Sequence, residues 1–197
     1  NVALLTASQV TKWVPGIDAV HADLVADAID EATSLAEEFC DRALEQSSHD
    51  EYTGGYYVEY LDVEGDTVTV LSLKAYPVTE IVSVYEAASE TTPSELDSDE
   101  YRLDSAAGLL HRVDTEWYQG IRQVVVTYTG GYTATTLPAG LRRALLQLVA
   151  WVIHGRGDVG NQSDSSDGVS RTRLPMDGGI PADVASMLRP YRRMGVR

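Results

Sequence analysis

The sequence contains a single cysteine, Cys40, among 197 residues. An intrachain disulfide is therefore excluded, and with it a small secreted fold held together by disulfides. No apolar run approaches the ~18 residues of a membrane span, and the N-terminal residues lack the basic and apolar pattern of a signal peptide. The hydrophobic fraction of 44% is ordinary for a globular chain, which excludes wholesale disorder and favours one domain.

Motifs that carry catalysis are also scarce. The chain has no G-x-S-x-G turn and no glycine-rich phosphate loop, and its four histidines are scattered without metal-ligand spacing. Two acidic runs are weak cation candidates, and they consist of Glu95, Asp97, Asp99 and Glu100, and of Asp158, Asn161, Asp164 and Asp167. We therefore predict no enzyme activity, no catalytic residues, no metal site and no cofactor, with a carboxylate-dependent hydrolase as a remote alternative.

Basic residues are few and unevenly placed. The net charge is −15, and only two of the 15 basic residues are lysines, a bias that a high-salt host and a GC-rich genome would each produce. Residues 1–170 carry 28 acids against 9 bases, whereas residues 171–197 carry two acids and six arginines. The acidic body argues against general nucleic-acid binding. A basic tail on an acidic body is typical of a segment that docks on a partner.

Apolar periodicity predicts three helices in the body of the chain. The first covers residues 6–13, where Thr6 and Gln9 have the spacing of a capping box. The second runs from 18 to 45 and has an apolar stripe at spacings of three and four residues. The third spans 138–154 and begins at Pro138. The face of the second helix opposite its stripe is acidic and consists of Asp27, Asp30, Glu31, Glu37, Glu38 and Asp41.

The pattern changes to alternation over residues 56–129, which predicts antiparallel strands. Residues 56–61 and 67–73 flank a Glu-Gly-Asp turn and are predicted to form a hairpin. Further strands are expected at 78–85, 101–103, 109–112 and 121–129, with residues 87–99 as a loop. The sequence therefore predicts an α+β fold, a small helical bundle with an inserted antiparallel β region.

Beyond residue 155 the composition changes again. Residues 156–179 are rich in Gly, Ser and Asp and predict a flexible linker or loop. Residues 180–197, here called the C-terminal arm, contain a short amphipathic helix opened by Pro181 and followed by arginines. The predicted organisation is a core at 1–155, a linker at 156–179 and an extended docking arm at 180–197 that ends in a short helix.

The order of these elements and several short motifs resemble the head–tail connector (adaptor) proteins of tailed phages and related tailed viruses. The motif that resembles the family most is a turn made of Tyr128, Gly130, Gly131 and Tyr132, followed by Pro138 and a helix. Shorter matches are Leu5-Thr6, Tyr76-Pro77-Val78 and Tyr101-Arg102-Leu103, each at the expected place in the chain. The hairpin region 52–73 and the linker look longer than in a minimal member.

The resemblance implies a structural virion protein and a homo-oligomeric ring, typically a dodecamer, beneath the portal at the neck. Such a ring is assembled in the host cytoplasm, extends the DNA channel without binding DNA specifically, meets a distal neck, stopper or tail protein, and contacts no membrane. Another neck component, a stopper or tail-completion protein, is the alternative. By the resemblance, the portal contact falls on Val184, Met187, Leu188, Tyr191, Arg192 and Arg193. The acidic face of the second helix is the candidate channel lining, since carboxylates repel phosphates.

Overall fold

The computed structural model describes residues 3–14, 22–46, 56–65, 67–87, 92–155 and 176–193. These residues form two compact units. The helical unit comprises residues 3–41 and 134–192, and the β unit comprises residues 42–133 with Arg193. The α+β class, the inserted antiparallel β region and the short C-terminal helix are confirmed.

The helical unit is built from both ends of the chain. Helix α1 spans Ala7–Trp13, α2 spans Ala22–Cys40, α3 spans Ala139–Gly155 and α4 spans Ala182–Leu188. Strands β8 (Met176–Asp177) and β9 (Ile180–Pro181) form a small hairpin before α4, and a 3-10 turn over Arg189–Tyr191 follows it. The apolar stripe of α2 and the apolar face of α3 are buried, as their spacing predicts.

Helix α1 begins where the sequence predicts. The Thr6 hydroxyl accepts a hydrogen bond from the Gln9 amide, and the Gln9 side chain accepts one from the Thr6 amide. This reciprocal pair satisfies two amides that the helix itself cannot bond. The capping box is therefore confirmed.

Helix α2 ends earlier than predicted. The prediction that the helix continues to residue 45 is wrong, because Asp41 has a positive φ of 51° and the chain leaves the helix there. Beyond it, the Ala43 amide donates to the Lys74 carbonyl, and the Tyr132 amide donates to the Leu44 carbonyl. Backbone pairing inside the β unit therefore replaces helical bonds over residues 42–46.

The β unit contains two antiparallel sheets. The larger has the order β1-β7-β3-β4, and its members are β1 (Tyr57–Val63), β3 (Val78–Glu86), β4 (Ser94–Glu95) and β7 (Gly120–Gly130). The smaller has the order β2-β6-β5, and its members are β2 (Val70–Ser72), β5 (Tyr101–Asp104) and β6 (Leu109–Arg112). Buried residues of both sheets form one hydrophobic cluster, which includes the fully buried Trp117 and Tyr128.

The predicted hairpin of residues 56–61 and 67–73 is wrong. Strand β1 pairs with β7, placing Leu61 opposite Val124, while β2 pairs with β6, placing Leu71 opposite Leu110. The two runs therefore belong to different sheets. The predicted loop at 87–99 also contains β4, which pairs with the end of β3.

The predicted division at residue 155 stays a prediction. Residues 156–175 of the expected linker lie outside the described residues, and residues 176–179 form β8 and the turn into β9. In the described parts of the chain, no helix combines the length and apolar character needed to cross a membrane.

Candidate docking surfaces

Residues 180–192 of the C-terminal arm belong to the helical unit, where apolar side chains hold them. Val184 and Leu188 lie one turn apart on α4, and both are buried. The Cys40 thiol at the end of α2 lies 3.8 Å from the carbonyl oxygen of Leu188, at hydrogen-bonding distance for sulfur. These two apolar side chains therefore stabilise the unit itself and are not available at its surface.

Other residues assigned to the portal contact face outward to differing degrees. Met187 and Tyr191 are half-buried, and Arg192 is exposed, with its guanidinium carbon 5.3 Å from the centroid of the Phe39 ring. Cation–π contacts of this kind are weak at exposed sites. The accessible part of the predicted contact is therefore Met187, Tyr191 and Arg192.

Arg193 belongs to the β unit. Its Nε donates to Ser72 Oγ at 3.1 Å, and its Nη2 donates to the Ser72 carbonyl oxygen. Arg189, earlier in the arm, forms an exposed ion pair with Asp177 at 2.8 Å. Arg189 and Arg193 are therefore engaged within the chain, and the assignment of Arg193 to the portal stays a prediction.

The acidic face of α2 is at the surface of the helical unit. Asp27, Asp30 and Glu31 are exposed near the middle of the helix, while Glu38 and Asp41 are exposed at its end. Glu37 is half-buried. These acids form two groups on α2, residues 27–31 and 37–41, separated by about two helical turns, and both groups lie on its acidic face, here called the acidic stripe.

The turn motif has a structural role in the β unit. Gly131 has a φ of +98°, and a Cβ built on it would lie 2.4 Å from the Glu45 carbonyl oxygen. A Cβ on Gly130 would lie 2.2 Å from the Ala75 carbonyl oxygen. Glycine is required where two backbones approach so closely. The Tyr132 amide donates to the Leu44 carbonyl, and the Tyr132 carbonyl accepts from the Gln46 amide. In the helical unit, the Pro138 carbonyl accepts from the Arg142 amide at the start of α3.

Tyr128 links this motif to the core. Its hydroxyl donates to Glu59 Oε2 at 2.7 Å and accepts from the buried Ala75 amide at 3.0 Å. The same carboxylate oxygen accepts from the Lys74 amide at 3.0 Å. Burial, with the Glu59 charge beside it, raises the pKa of Tyr128 far above its ordinary value, so the phenol is neutral.

A buried ion pair was missed by sequence reasoning. Glu86 is 2% exposed and lies 3.4 Å from Arg112, whose Nη2 is also 3.3 Å from Glu100 Oε1. A hydrogen bond from the Asp97 amide, together with Arg112, lowers the pKa of Glu100. The signal in the sequence was weak, because both residues lie at strand ends among other charges.

The sequence reasoning also missed one end of the large sheet. Ile121 is 80% exposed, and Tyr60 and Tyr118 are about half exposed. The guanidinium of Arg122 lies 4.1 Å from the Tyr60 ring centroid, and the Arg122 amide donates to Asp62 at 2.7 Å. Gly120 at the start of β7 was the available signal, since an isolated glycine in a strand indicates a bulge.

Neither cation candidate gains support as a metal centre. The carboxylate of Glu95 accepts a hydrogen bond from the Tyr85 hydroxyl at 3.1 Å, which raises the pKa of that tyrosine. Across the described residues, His, Cys, Asp and Glu side chains form no group of three suited to a metal ion. The second candidate, residues 158–167, lies outside the described residues.

The fold resembles that of neck proteins in solved particles. A chain in the neck of an empty GTA particle, computed with C6 symmetry, matches with a TM-score of 0.60 and 14% identity, covering 100% of this chain and 93% of that one. A chain in the virion of a native gene transfer agent (GTA) particle matches with a TM-score of 0.59 and 13% identity, covering 98% and 92%. A chain in the neck of a native GTA particle, computed with C12 symmetry, gives 0.50 and 16%, covering 95% and 90%.

No curated protein matches the sequence. The family model described as "Head completion protein" matches residues 3–194, almost the whole chain. That family is one of the head–tail connectors that the sequence motifs resemble, and this expectation is confirmed. The chain therefore belongs to the head completion protein family.

Proposed function

We propose that this chain is the adaptor subunit of a particle neck, a structural protein that joins the capsid vertex to the tail. The observation that supports this best is the family match over residues 3–194. The likeness of both units to neck chains of GTA particles supports the same location. Connectors of this kind join components without making or breaking covalent bonds.

The subunit acts in a homo-oligomeric ring, which we propose is a dodecamer beneath the portal. The symmetries of the two neck structures, C6 and C12, support a ring of this order. Closed rings form through heterologous contacts, in which two different surfaces of each subunit meet. A ring also multiplies weak contacts, because each bound subunit raises the effective concentration of its neighbours at the portal.

The outward surface of the C-terminal arm makes the portal contact. Met187 and Tyr191 supply half-buried apolar area, and Arg192 supplies an exposed guanidinium beside them. Methionine, tyrosine and arginine are the residue types that interfaces favour. Val184 and Leu188 support this surface from below, because their burial fixes α4 on the helical unit.

The acidic stripe of α2 faces the channel through which DNA passes. Its five exposed carboxylates would repel phosphates, so DNA would slide without adhering. The net charge of −15 is consistent with a surface that avoids nucleic acid. The distal partner is another neck, stopper or tail protein, and the ring provides the surface to which that protein binds.

Binding to purified portal tests the proposal. Deletion of the whole arm would expose buried core at Val184 and Leu188, so surface variants are sharper. Arg192→Glu and Met187→Asp are expected to abolish co-elution with portal while keeping a cooperative melting transition, lowered only by the loss of local contacts. Arg143→Glu, an equal charge change at an exposed position of α3, is the matched control. Undiminished complexes with both arm variants would contradict this contact.

A further inference from the structure

We propose that one end of the large sheet is a second docking surface, for a protein partner that offers an apolar pocket rimmed by Lys or Arg. The surface, here called the sheet tip, consists of Tyr60, Tyr118 and Ile121. This inference rests on the proposed place of the chain in the neck, where it meets components beyond the portal.

A bulge in β7 exposes the central residue of the sheet tip. Leu61 pairs with Val124 and Val63 pairs with Gly120, so residues 121–123 stand opposite Asp62 alone. Bulges leave residues without a partner in the ladder and change the local direction of the strand. Ile121 is one of these three unpaired residues, and it is 80% exposed.

The bulge is held in place at a conformational cost. Arg122 adopts a φ of +55°, a left-handed conformation that side chains other than glycine rarely take. Its amide donates to Asp62 Oδ1 at 2.7 Å, and its guanidinium stacks 4.1 Å from the Tyr60 ring centroid. The strained conformation is thus fixed by specific contacts, and its result is an apolar side chain in water.

Two further aromatic side chains extend the apolar surface. Tyr118 is 53% exposed, and its amide is fixed by a 2.8 Å hydrogen bond to the buried Glu86 carboxylate. Tyr60, under the Arg122 guanidinium, is 51% exposed. Ile121 is next in the chain to Arg122, which lies on Tyr60, and follows Tyr118 by three residues. Exposed aromatic and aliphatic side chains on fixed backbone are typical of interface anchors.

The charge around the sheet tip selects the occupant. The segments that form it carry four exposed carboxylates against one exposed guanidinium, that of Arg122 on Tyr60. The carboxylates belong to Asp62, Glu64, Asp114 and Glu116. DNA is excluded by this acidic rim. A basic rim on the partner would complement it.

A second copy of this chain fits poorly. Contacts between copies in the proposed ring already have to overcome the repulsion of a net charge of −15, and an acidic sheet tip placed against another copy would add to that repulsion. Several of its described arginines are also committed within the chain, namely Arg42 stacked on Tyr76, Arg112 with Glu86, Arg142 with two backbone carbonyls, Arg189 with Asp177 and Arg193 with Ser72. The observations therefore favour a different protein, one with a basic surface.

Complementation of a strain that lacks this gene tests the inference. Plasmid-encoded Ile121→Glu is expected to be present on purified heads at the wild-type level, while later neck and tail components fail to join. Replacing the buried contact of one isoleucine by a charge should reduce tail joining by at least roughly tenfold. Val82→Glu, which replaces a 46% exposed apolar residue elsewhere on the sheet, is the control and should join tails normally.

Charge variants test the chemistry of the partner. Glu64→Arg combined with Glu116→Arg should arrest assembly at the same stage, because the reversed rim repels a basic partner. Normal tail joining by this pair would overturn the proposed basic rim. Tyr118→Ser, which adds no charge, should show a smaller defect of the same kind and thus guards against misfolding of the Glu variant.

The remaining outcomes separate this inference from the proposed function. Wild-type tail joining by Ile121→Glu would overturn the inference alone. If Ile121→Glu melts like the wild-type protein but is absent from heads, the sheet tip contacts another copy or the portal. That result would also overturn the inference. An equal defect in tail joining by Val82→Glu would overturn the claim that the docking surface is restricted to the sheet tip. Absence of the wild-type protein from purified heads would overturn the proposed function and the inference together.

Discussion

Removal of the Tyr128 hydroxyl tests how the core of the β unit is held together. Tyr128→Phe keeps the ring, which is fully buried, and deletes only the oxygen that bonds Glu59 and Ala75. The buried Ala75 amide then has no acceptor, which costs about 1–3 kcal/mol. The lost bond to the Glu59 carboxylate adds a further contribution of about 1.5–3 kcal/mol.

The expected net loss is about 3 kcal/mol, less than the full sum, because Glu59 keeps its bond from the Lys74 amide. For a chain of this length, that loss lowers the melting temperature by about 6–12 °C. Urea denaturation followed by circular dichroism, at one fixed protein concentration, measures the free energy of unfolding directly.

Tyr60→Phe is the matched control, since it makes the same chemical change at a side chain that is 51% exposed. Its stability should stay within about 0.5 kcal/mol of wild type. If Tyr128→Phe were equally silent, the two buried hydrogen bonds would carry no net stability. Tyr128 would then contribute only through its apolar ring, and the reasoning would be refuted.

Four further predictions follow from the structure. Because burial raises the pKa of Tyr128, only the unfolded chain ionises this phenol above about pH 10, so stability should fall as the pH rises past that value. In urea denaturation at pH 9 and 11, the fall should be smaller in Tyr128→Phe, which keeps the raised pKa values of Tyr85 and Tyr101. Gly131→Ala forces a Cβ to 2.4 Å from the Glu45 carbonyl oxygen and should cost more than about 2 kcal/mol in thermal melts, whereas Gly155→Ala, with nothing within 4 Å, should be neutral or stabilising. Leu188→Ala should lower the free energy of unfolding by about 2–5 kcal/mol, because it opens a cavity beneath α4, and an unchanged denaturation midpoint would contradict its burial. Ring assembly measured by light scattering should strengthen as the salt concentration rises, because salt screens the net charge of −15. A ring that forms equally well at low salt would show that charge repulsion does not control assembly.

Local signals made the helices predictable. The Thr6 capping box and the apolar stripe of α2 each act within a few residues, so spacing alone predicts them. The end of α2 was not predictable in this way. Residues 42–46 suit a helix by composition, but they pair with Lys74 and Tyr132, which lie far along the chain.

Strand pairing was the least predictable part of the fold. The sequence predicts a strand over residues 56–61, but the partner of that strand begins at Gly120. A nearby turn favoured the hairpin with residues 67–73, and no local feature distinguishes a neighbour from a distant strand. Contacts over such separations depend on which faces are buried together, which the sequence pattern does not specify.

The candidate sites were predictable only in part. An apolar stripe on the C-terminal helix is equally compatible with a groove in the same chain and with a partner, and the structure places Val184 and Leu188 in the former. The sheet tip escaped prediction because Ile121 lies in the bulge opposite Asp62. Gly120 marks the place of that bulge in the sequence but does not indicate which side chains are exposed there.

In the sequence, the β unit is inserted between the two segments of the helical unit, and this order determines when each unit can be completed during synthesis. The β unit is nearly continuous from residue 42 to 133, so it can fold as soon as Gly130 and Gly131 have left the ribosome. The helical unit must wait, because the partners of α2 lie in residues 134–192. Until then, the apolar stripe of α2 stays uncovered, and the nascent subunit is most prone to aggregate during this interval.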